Sequence, residues 1–275
     1  MDQSVEKASK SWRMDEIDYG AIRREMVHDN EQLFYLLAAA SFIEITSDLY
    51  THNLIEHFRC DRDAARWLEE VWQREEMQHG SALKAYVMTV WPDFDWEKAY
   101  AGFAAEYGAT CTIEALEPSA ALEMVARCVV EVGTSTFYRC LYDYIEEPVL
   151  HRLLTNIKAD EVRHFKRFRR YFLEYNTAEG HGPFDVARVI WHRTMEIRNE
   201  DSYIAFKHAF NTHNHSSDFH EAEWSRFCQW AKRWTHRYYP YRMAVEMLLS
   251  PLPAPNTLKK MMQPALIWAF WIAMY

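Results

Sequence analysis

Glycine is scarce in this chain, and its positions follow no recognisable pattern. Only 7 of the 275 residues are glycine, which is well below the usual share of about 7%. Enzymes that bind nucleotides through glycine-rich loops need their glycines in fixed clusters, because only a bare backbone comes close enough to the phosphates. The scattered glycines of this chain argue against that chemistry.

Paired cysteines, excess positive charge and long apolar runs are lacking as well. The five cysteines form no C-x-x-C pair, which argues against a disulfide framework or a structural zinc site. With 31 basic and 40 acidic side chains, the net charge is −9, a poor match to a nucleic-acid backbone. No signal peptide is evident, and the apolar run over residues 264–275 is shorter than the roughly 20 residues of a membrane span. We expect a cytoplasmic protein with no nucleic-acid partner and no transmembrane span.

Apolar side chains in helical repeats are what the chain has in abundance. Hydrophobic residues make up 49% of it and aromatic residues 15%, enough to bury a large core. Repeats of about 3.6 residues, with prolines only where helices would end, predict an all-α fold. Helices are expected over about residues 30–58, 61–91, 93–107, 117–146, 148–175, 184–211 and 219–249. A proline-rich link and an apolar tail, which we interpret as a packing or interface element, follow them.

Four glutamates and two histidines recur along the chain in a repeated arrangement. The second and fourth long helices each carry a Glu-x-x-His motif, and the first and third each carry a single glutamate in an apolar stretch. The six residues are Glu44, Glu76, His79, Glu131, Glu161 and His164. The single glutamate precedes the motif glutamate by 32 residues in the first pair and by 30 in the second. This spacing indicates an internal repeat of a helix pair, joined by a long crossover.

The arrangement has a chemical meaning, because residues three apart on a helix share a face and reach the same metal ion. All six lie among apolar neighbours on stripes that should face the core. A buried ionised carboxylate is costly unless it is paired or bound to metal, so four of them facing one core require cations. Four glutamates and two histidines are the ligand set of ferritin-like di-iron carboxylate proteins. A third Glu-x-x-His, from Glu25 to His28, has no partner pattern, and we expect it to be a coincidence at the surface.

Longer stretches around these residues resemble the ferritin-like di-iron oxidases, and among them the soluble acyl-carrier-protein desaturases. Residues 72–80, WQREEMQHG, are similar to that family's tryptophan, paired glutamates and His-Gly, and residues 159–164, ADEVRH, to its Asp-Glu-x-Arg-His motif. Residues 145–150 and the pair of Glu131 with Thr134 are also similar to family patterns. The resemblance implies a four-helix bundle with a long crossover between helices two and three. The implied division is an N-terminal extension (1–29), the bundle (30–179) and a C-terminal helical extension packed on it (180–275).

The resemblance also implies a cofactor and a reaction. The six residues would hold two iron ions, bridged by Glu131 together with Glu44 or one of the Glu-x-x-His carboxylates, although manganese suits the same ligands. With O2 as co-substrate, the protein would desaturate or hydroxylate an apolar substrate, either an acyl thioester or a fatty-acid-like molecule. Thr134 is expected to assist oxygen activation, and Asp160 to orient a ligand histidine through its second ring nitrogen. Electrons would come from an external donor protein such as a ferredoxin.

Other functions stay open, because related proteins share the Glu-x-x-His pairs. A di-iron N-oxygenase or hydroxylase of a small biosynthetic intermediate uses the same ligands, and an iron-storage protein uses them without substrate chemistry. The long segment after Gly182 argues against storage, since storage ferritins end soon after the bundle. A homodimer is compatible with each alternative. One face of helix four is basic, which suits an acidic partner or is simply solvated; it consists of Arg163, Lys166, Arg167 and Arg170.

Two aromatic residues and two glycines lie close to the ligands in sequence. We expect Tyr138 and Trp72 near the ligand stripes, either as core residues or as carriers of electrons. Gly80 and Gly133 lie inside the ligand helices, where each costs about 1 kcal/mol relative to alanine. Gly80 is expected to leave room at the metal site, and Gly133 to allow close helix packing.

Overall fold

The computed structural model describes residues 12–113, 116–196, 200–214 and 219–274, and the regular elements in these ranges are all helical. The expected all-α class is therefore confirmed. Three short 3-10 turns between residues 14 and 26 precede the first long helix. The helices are α1 (Glu31–Ile45), α2 (Ser47–His57), α3 (Arg62–Trp67), α4 (Gln73–Val90), α5 (Trp96–Gly108), α6 (Ala120–Tyr144), α7 (Pro148–Glu179), α8 (Pro183–Glu196), α9 (Glu200–His213), α10 (Glu221–Tyr238), α11 (Tyr241–Leu249) and α12 (Asn256–Met274).

The first predicted helix, over 30–58, is in fact two helices that meet at Thr46. The Thr46 hydroxyl donates to the backbone carbonyls of Phe42 at 2.9 Å and Ile43 at 2.8 Å. A threonine that bonds back to the helix in this way favours a bend. The break comes two residues after Glu44, so this glutamate lies at the end of α1.

α3 and α4 belong to one continuous helical segment, with a π-helical turn over Leu68–Trp72 between them. The Asp61 carboxylate caps α3 by accepting two backbone N–H groups, as its place before the helix predicts. α4 ends at Val90, close to the predicted boundary at Pro92. The π turn was not predicted. Such turns insert one extra residue into a helix and are frequent at functional sites.

The two longest helices begin at side-chain caps: α6 begins at Ala120, three residues after the expected start at Glu117, and α7 begins at Pro148, as expected. The Ser119 hydroxyl accepts a backbone N–H of the first turn of α6. At α7, the Glu147 carboxylate accepts two N–H groups, and Pro148 occupies the first helical position, where its missing N–H does no harm. α7 continues past the predicted end at about residue 175 and stops at Gly180, whose φ of 71° is a left-handed conformation that glycine adopts without strain.

The C-terminal region contains more and shorter helices than the sequence predicted. The expected helix over 184–211 is divided into α8 and α9, and that over 219–249 into α10 and α11, which are separated at Tyr239–Pro240. α8, α10 and α11 pack on α6, whereas α9 packs on α1 and α5. The apolar tail forms α12, which packs on α10 and α11. Residues before the first long helix also contribute to the core, through the buried side chains of Trp12, Ile17 and Val27.

The helices that carry the predicted ligands are neighbours: α1 packs on α4, α6 packs on α7, and α4 contacts α7. α1 and α4 approach closely at Gly80, where an added Cβ would lie 2.6 Å from the Ile45 nitrogen and 2.9 Å from the Ser41 carbonyl oxygen. Gly80 therefore serves close helix packing. A Cβ on Gly133 would meet no atom within 4 Å, so the expectation that Gly133 allows close packing is wrong.

The stretch Glu31–His57 is long and apolar enough to span a membrane, with a mean hydropathy of 1.3. Within the protein, however, 67% of that window is buried. A buried core helix passes the same test of length and composition, so this window alone is weak evidence for a membrane span. The five cysteines are all free, in agreement with the absence of a disulfide pattern.

Candidate metal centre

The six predicted ligands meet in the interior, where α1, α4, α6 and α7 adjoin. Each of their side chains is at most 5% exposed. α1 and α6 contribute one glutamate each, and α4 and α7 contribute the two Glu-x-x-His motifs. Residues spread over 120 positions of sequence, from Glu44 to His164, thus form a single cluster.

The ligand atoms form two overlapping groups of four, and within each group they lie within 4.8 Å of one another. The groups are Glu44, Glu76, His79 and Glu161, and Glu76, Glu131, Glu161 and His164. Glu76 and Glu161 belong to both groups, which makes the two motif glutamates the carboxylates placed to bridge. α4 and α7 face each other and bring their own glutamates to the centre, which agrees with a bridging Glu-x-x-His carboxylate; a bridge formed by Glu131 stays a prediction.

Each of the six side chains has a buried polar atom that hydrogen-bonds to no other group in the described ranges. These atoms are Glu44 Oε2, Glu76 Oε1, His79 Nδ1, Glu131 Oε2, Glu161 Oε1 and His164 Nδ1. His79 Nδ1 lies 3.0 Å from Glu161 Oε1, and His164 Nδ1 lies 2.9 Å from Glu76 Oε1. A buried polar atom without a partner is costly, and six of them converge on one small region.

The charge and the chemistry of this donor set fit two divalent cations. Four ionised carboxylates carry four negative charges, two neutral imidazoles carry none, and two divalent ions would balance the total. Carboxylate oxygens and imidazole nitrogens suit iron and manganese. The residues of the cluster can therefore hold a pair of such ions.

The outward ring nitrogen of each histidine is held by an acid from the opposite motif. His79 Nε2 donates to Asp160 Oδ2 at 3.0 Å, and His164 Nε2 donates to Glu75 Oε2 at 2.8 Å. Arg163 donates to both of these acids, with a distance of 2.8 Å to Glu75 Oε1. Burial acts to raise the pKa of Asp160, but its hydrogen bond with His79 and the charges of His79 and Arg163 lower it to about 2.

The contact expected of Asp160 is thus present, although the histidine belongs to the other motif. Its equivalent, Glu75, was not predicted. The sequence contained the signal, because an acidic residue immediately precedes the glutamate in both motifs. Carboxylates in this position fix the tautomer of a ligand imidazole, so that Nδ1 presents its lone pair to the metal.

Three further side chains hydrogen-bond to the ligand carboxylates. Thr134 donates to Glu161 Oε2 at 2.6 Å, and Trp72 donates through Nε1 to Glu131 Oε1 at 3.1 Å. Tyr138 donates to Glu44 Oε1. Trp72 and Tyr138 are therefore more than core residues, since each fixes one carboxylate. The catalytic role expected of Thr134 stays a prediction.

A second tryptophan, Trp12, lies against the histidine side of the cluster and was not predicted. Its Nε1 donates to Asp160 Oδ2 at 2.7 Å, and its ring is parallel to that of His79 at a centroid separation of 6.2 Å. Gln78 Nε2 donates to the Trp12 carbonyl at 3.1 Å. No pattern before the first long helix indicated this contact, because it depends on how the N-terminal segment folds back over α4.

In the absence of cations the cluster retains protons. Burial, and after it the charge of Glu161, raises the pKa of Glu76 well above its ordinary value. Burial likewise raises the pKa of Glu131 to about 8. For His79, burial acts to lower the pKa, but the hydrogen bond with Asp160 and the nearby negative charge of Glu161 outweigh it and leave the pKa well above its ordinary value. Binding of cations must therefore displace protons.

The surface motifs behave as the sequence suggested. Glu25 and His28 are both exposed, and His28 bonds to Asp29 at 2.9 Å, so this third Glu-x-x-His is a coincidence at the surface. On the basic face of α7, most of the cations have internal partners. Arg163 pairs with Glu75 and Asp160, Arg167 with Asp63, and Arg170 with Glu174.

Comparison of the sequence with protein-family models and with curated proteins found no match to either. The case for a function therefore depends on the geometry of the cluster and on the motifs that surround it.

Proposed function

We propose that this chain is a ferritin-like di-iron oxidase, which uses O2 to desaturate or hydroxylate an apolar substrate. One observation carries the proposal: two groups of four buried ligand atoms share the glutamates of two Glu-x-x-His motifs. The resemblance of residues 72–80 and 159–164 to the soluble acyl-carrier-protein desaturases supports it. The proposal includes a four-helix bundle formed by α1, α4, α6 and α7, with α5 in the crossover.

In this proposal the chain itself positions ligands, excludes water and holds protons. Two ferrous ions, when bound, would supply electrons for the reduction of O2. They would also supply the open coordination positions needed for attack on an unactivated C–H bond. Glu75 and Asp160 keep the Nε2 nitrogens of the histidines protonated, which leaves Nδ1 free to bind a metal. The near-complete burial of all six ligands keeps bulk water away from reactive species.

Thr134 is the best-placed proton carrier on the α6 side. Its hydroxyl donates to the Glu161 Oε2 oxygen at 2.6 Å and lies one helical turn from Glu131. A proton held at Oγ1 is therefore within one hydrogen bond of a carboxylate shared by both ligand groups. Replacement by valine, which has the same shape, would remove that proton and leave the fold intact.

Measurement of bound metal tests the first part of the proposal. After anaerobic loading with Fe(II), the wild-type chain should bind two irons, and Glu131→Ala and His164→Ala should each lose at least one of them. His28→Ala is the matched control, because it removes a histidine from the exposed third motif and should change nothing. Two irons retained in both ligand variants would overturn the ligand assignment.

Two further measurements separate an oxidase from a storage protein. Addition of reductant and O2 to the iron-loaded protein with acyl carriers and free acids, followed by mass spectrometry, should reveal a product that differs by two hydrogens or one oxygen. An oxygenated amine as the product would identify an N-oxygenase instead. A cage-like assembly of 24 subunits, measured by light scattering, would contradict the enzyme proposal, whereas a monomer or dimer agrees with it.

A further inference from the structure

The two sides of the ligand cluster differ in how fully their polar groups are paired. On the histidine side, Glu75, Asp160 and Arg163 bond to one another or to the ligands. On the opposite side lie α2 and the first half of α6. There, the Ser47 hydroxyl is fully buried and, within the described ranges, has no hydrogen-bond partner. Two larger polar side chains on this side, Tyr50 and Arg127, also have hydrogen-bonding atoms without a partner among the described residues.

Arg127 is an unusual residue to find at this position. It lies on α6 four residues before Glu131, so the two side chains share a helix face one turn apart. Only 7% of Arg127 is exposed. Its Nε lies 2.7 Å from Glu123 Oε1, but neither Nη nitrogen hydrogen-bonds to any residue that the structure describes. A guanidinium has five N–H donors, and at Arg127 those on the two Nη nitrogens remain available to a ligand.

Tyr50, on α2, is a second polar residue near the ligand cluster. Its ring contacts that of Trp72 at a centroid separation of 5.9 Å, and Trp72 bonds to Glu131. Burial, and after it the charge of Glu76, raises the pKa of Tyr50, while Arg127 lowers it. The hydroxyl is thus within electrostatic range of both a ligand carboxylate and the guanidinium. Among the described residues it has no hydrogen-bond partner.

We propose that Arg127, assisted by the Tyr50 hydroxyl, binds the carboxylate of an apolar free acid and holds that substrate beside the α1 and α6 side of the metal centre. A guanidinium recognises a carboxylate through two parallel charge-assisted hydrogen bonds, which the two Nη nitrogens are free to make. A thioester or amide has no charge to match. The inference rests on the proposed function and narrows its substrate class from acyl thioesters to free acids.

Paired probes test this assignment. Straight-chain carboxylates from butanoate to dodecanoate, and benzoate, are each compared with the corresponding primary amide. Binding to the full chain loaded with redox-inactive Zn(II) is measured by calorimetry. The wild type should bind at least one acid about 10- to 100-fold more tightly than its amide, as expected for charge-assisted hydrogen bonds. Arg127→Gln should abolish this preference, and Arg127→Lys should retain part of it.

Two control variants separate recognition from a structural role. Glu123→Gln removes the internal partner of Arg127, so a purely structural ion pair predicts the same loss in Glu123→Gln as in Arg127→Gln. Our assignment predicts that Glu123→Gln keeps the preference for acids. Arg139→Gln removes an arginine that pairs with Asp143 farther along the same helix and should also keep it.

The outcomes distinguish this inference from the proposed function. If the chain binds no metal, the proposed function fails. If it binds two metal ions but prefers no acid over its amide, or if Arg127→Gln keeps the wild-type preference, the assignment of Arg127 is overturned. Should Arg127→Gln not fold, Arg127→Lys still decides the question, because an undiminished preference in that variant contradicts bidentate recognition.

Discussion

Gly80 offers the sharpest prediction about how the fold supports the centre. An alanine Cβ at this position would lie 2.5 Å from Ile45 Cγ1, 2.6 Å from the Ile45 nitrogen and 2.9 Å from the Ser41 oxygen. Ordinary contacts between such atoms are about 3.5–4.0 Å. Two of the three atoms belong to the backbone of α1, so a change of side-chain rotamer cannot relieve the clash. We expect α1 and α4 to separate by about 1 Å at this point.

Two opposing terms set the magnitude of the effect of Gly80→Ala. Alanine in a helix interior is favoured over glycine by about 1 kcal/mol. Overpacking against a rigid neighbour typically costs about 1–3 kcal/mol, and a clash with backbone belongs at the upper end. The net result should be a loss of about 2 kcal/mol in the free energy of unfolding. Urea denaturation of the metal-free protein measures this value directly.

Gly133→Ala is the matched control, since a Cβ there meets no atom within 4 Å. It should raise the free energy of unfolding by about 0.5–1 kcal/mol, because only the helix propensity changes. Gly80→Ala should also weaken metal binding, because Glu44 is next to Ile45 in the chain and His79 is next to the substituted residue. If Gly80→Ala were as stable as Gly133→Ala, the close approach of α1 and α4 would be refuted.

Three further predictions concern the acids, the protons and a helix end. Glu75→Gln and Asp160→Asn should each weaken binding of one metal ion by about 10- to 100-fold, measured by competition with a chelator; equal affinity for both ions in either variant would contradict the assignment. In the metal-free fold the pKa of Glu131 is raised from 4.5 to about 8. Between these two pH values the folded state therefore keeps the proton on Glu131, whereas the unfolded state has released it. The free energy of unfolding of the metal-free protein should therefore fall by on the order of a few kcal/mol as the pH rises from about 5 to 8. A metal-loaded sample should show little of this pH dependence. A free energy of unfolding that does not change with pH in the metal-free protein would argue against the retained proton. Gly180→Ala should lower the melting temperature by a few degrees, because alanine is strained at positive φ, and an unchanged melting temperature would contradict that conformation.

Much of the fold follows from local sequence signals. Helix starts were predictable where a capping side chain or a proline precedes the apolar repeat, as at Asp61 and Pro148, because these residues act within one turn of the helix end. The break at Thr46 was not predictable in this way. The apolar repeat continues across it, and a threonine inside a helix bends the chain only when its hydroxyl bonds back to the backbone.

The six residues of the buried cluster were predictable because two helix pairs repeat the same motif. Which carboxylates are shared was not, since that depends on how the faces of α4 and α7 meet in space. The acid before each motif glutamate could have been recognised from its repetition, as Glu75 and Asp160 show. Trp12 and Arg127 could not have been found by periodicity, because one lies before the first long helix and the other is paired along its own helix.

The exchange of partners between the two motifs means that neither helix pair can form the cluster alone. The first helix pair supplies three of the four side chains in one ligand group, and the second pair supplies three of the four in the other. Each histidine is also anchored by an acid from the other pair. A lone helix pair thus has no complete ligand group, so a half-length chain could complete one only by pairing with a second copy of itself. A symmetric pair of such half-length chains would present the same two ligand groups.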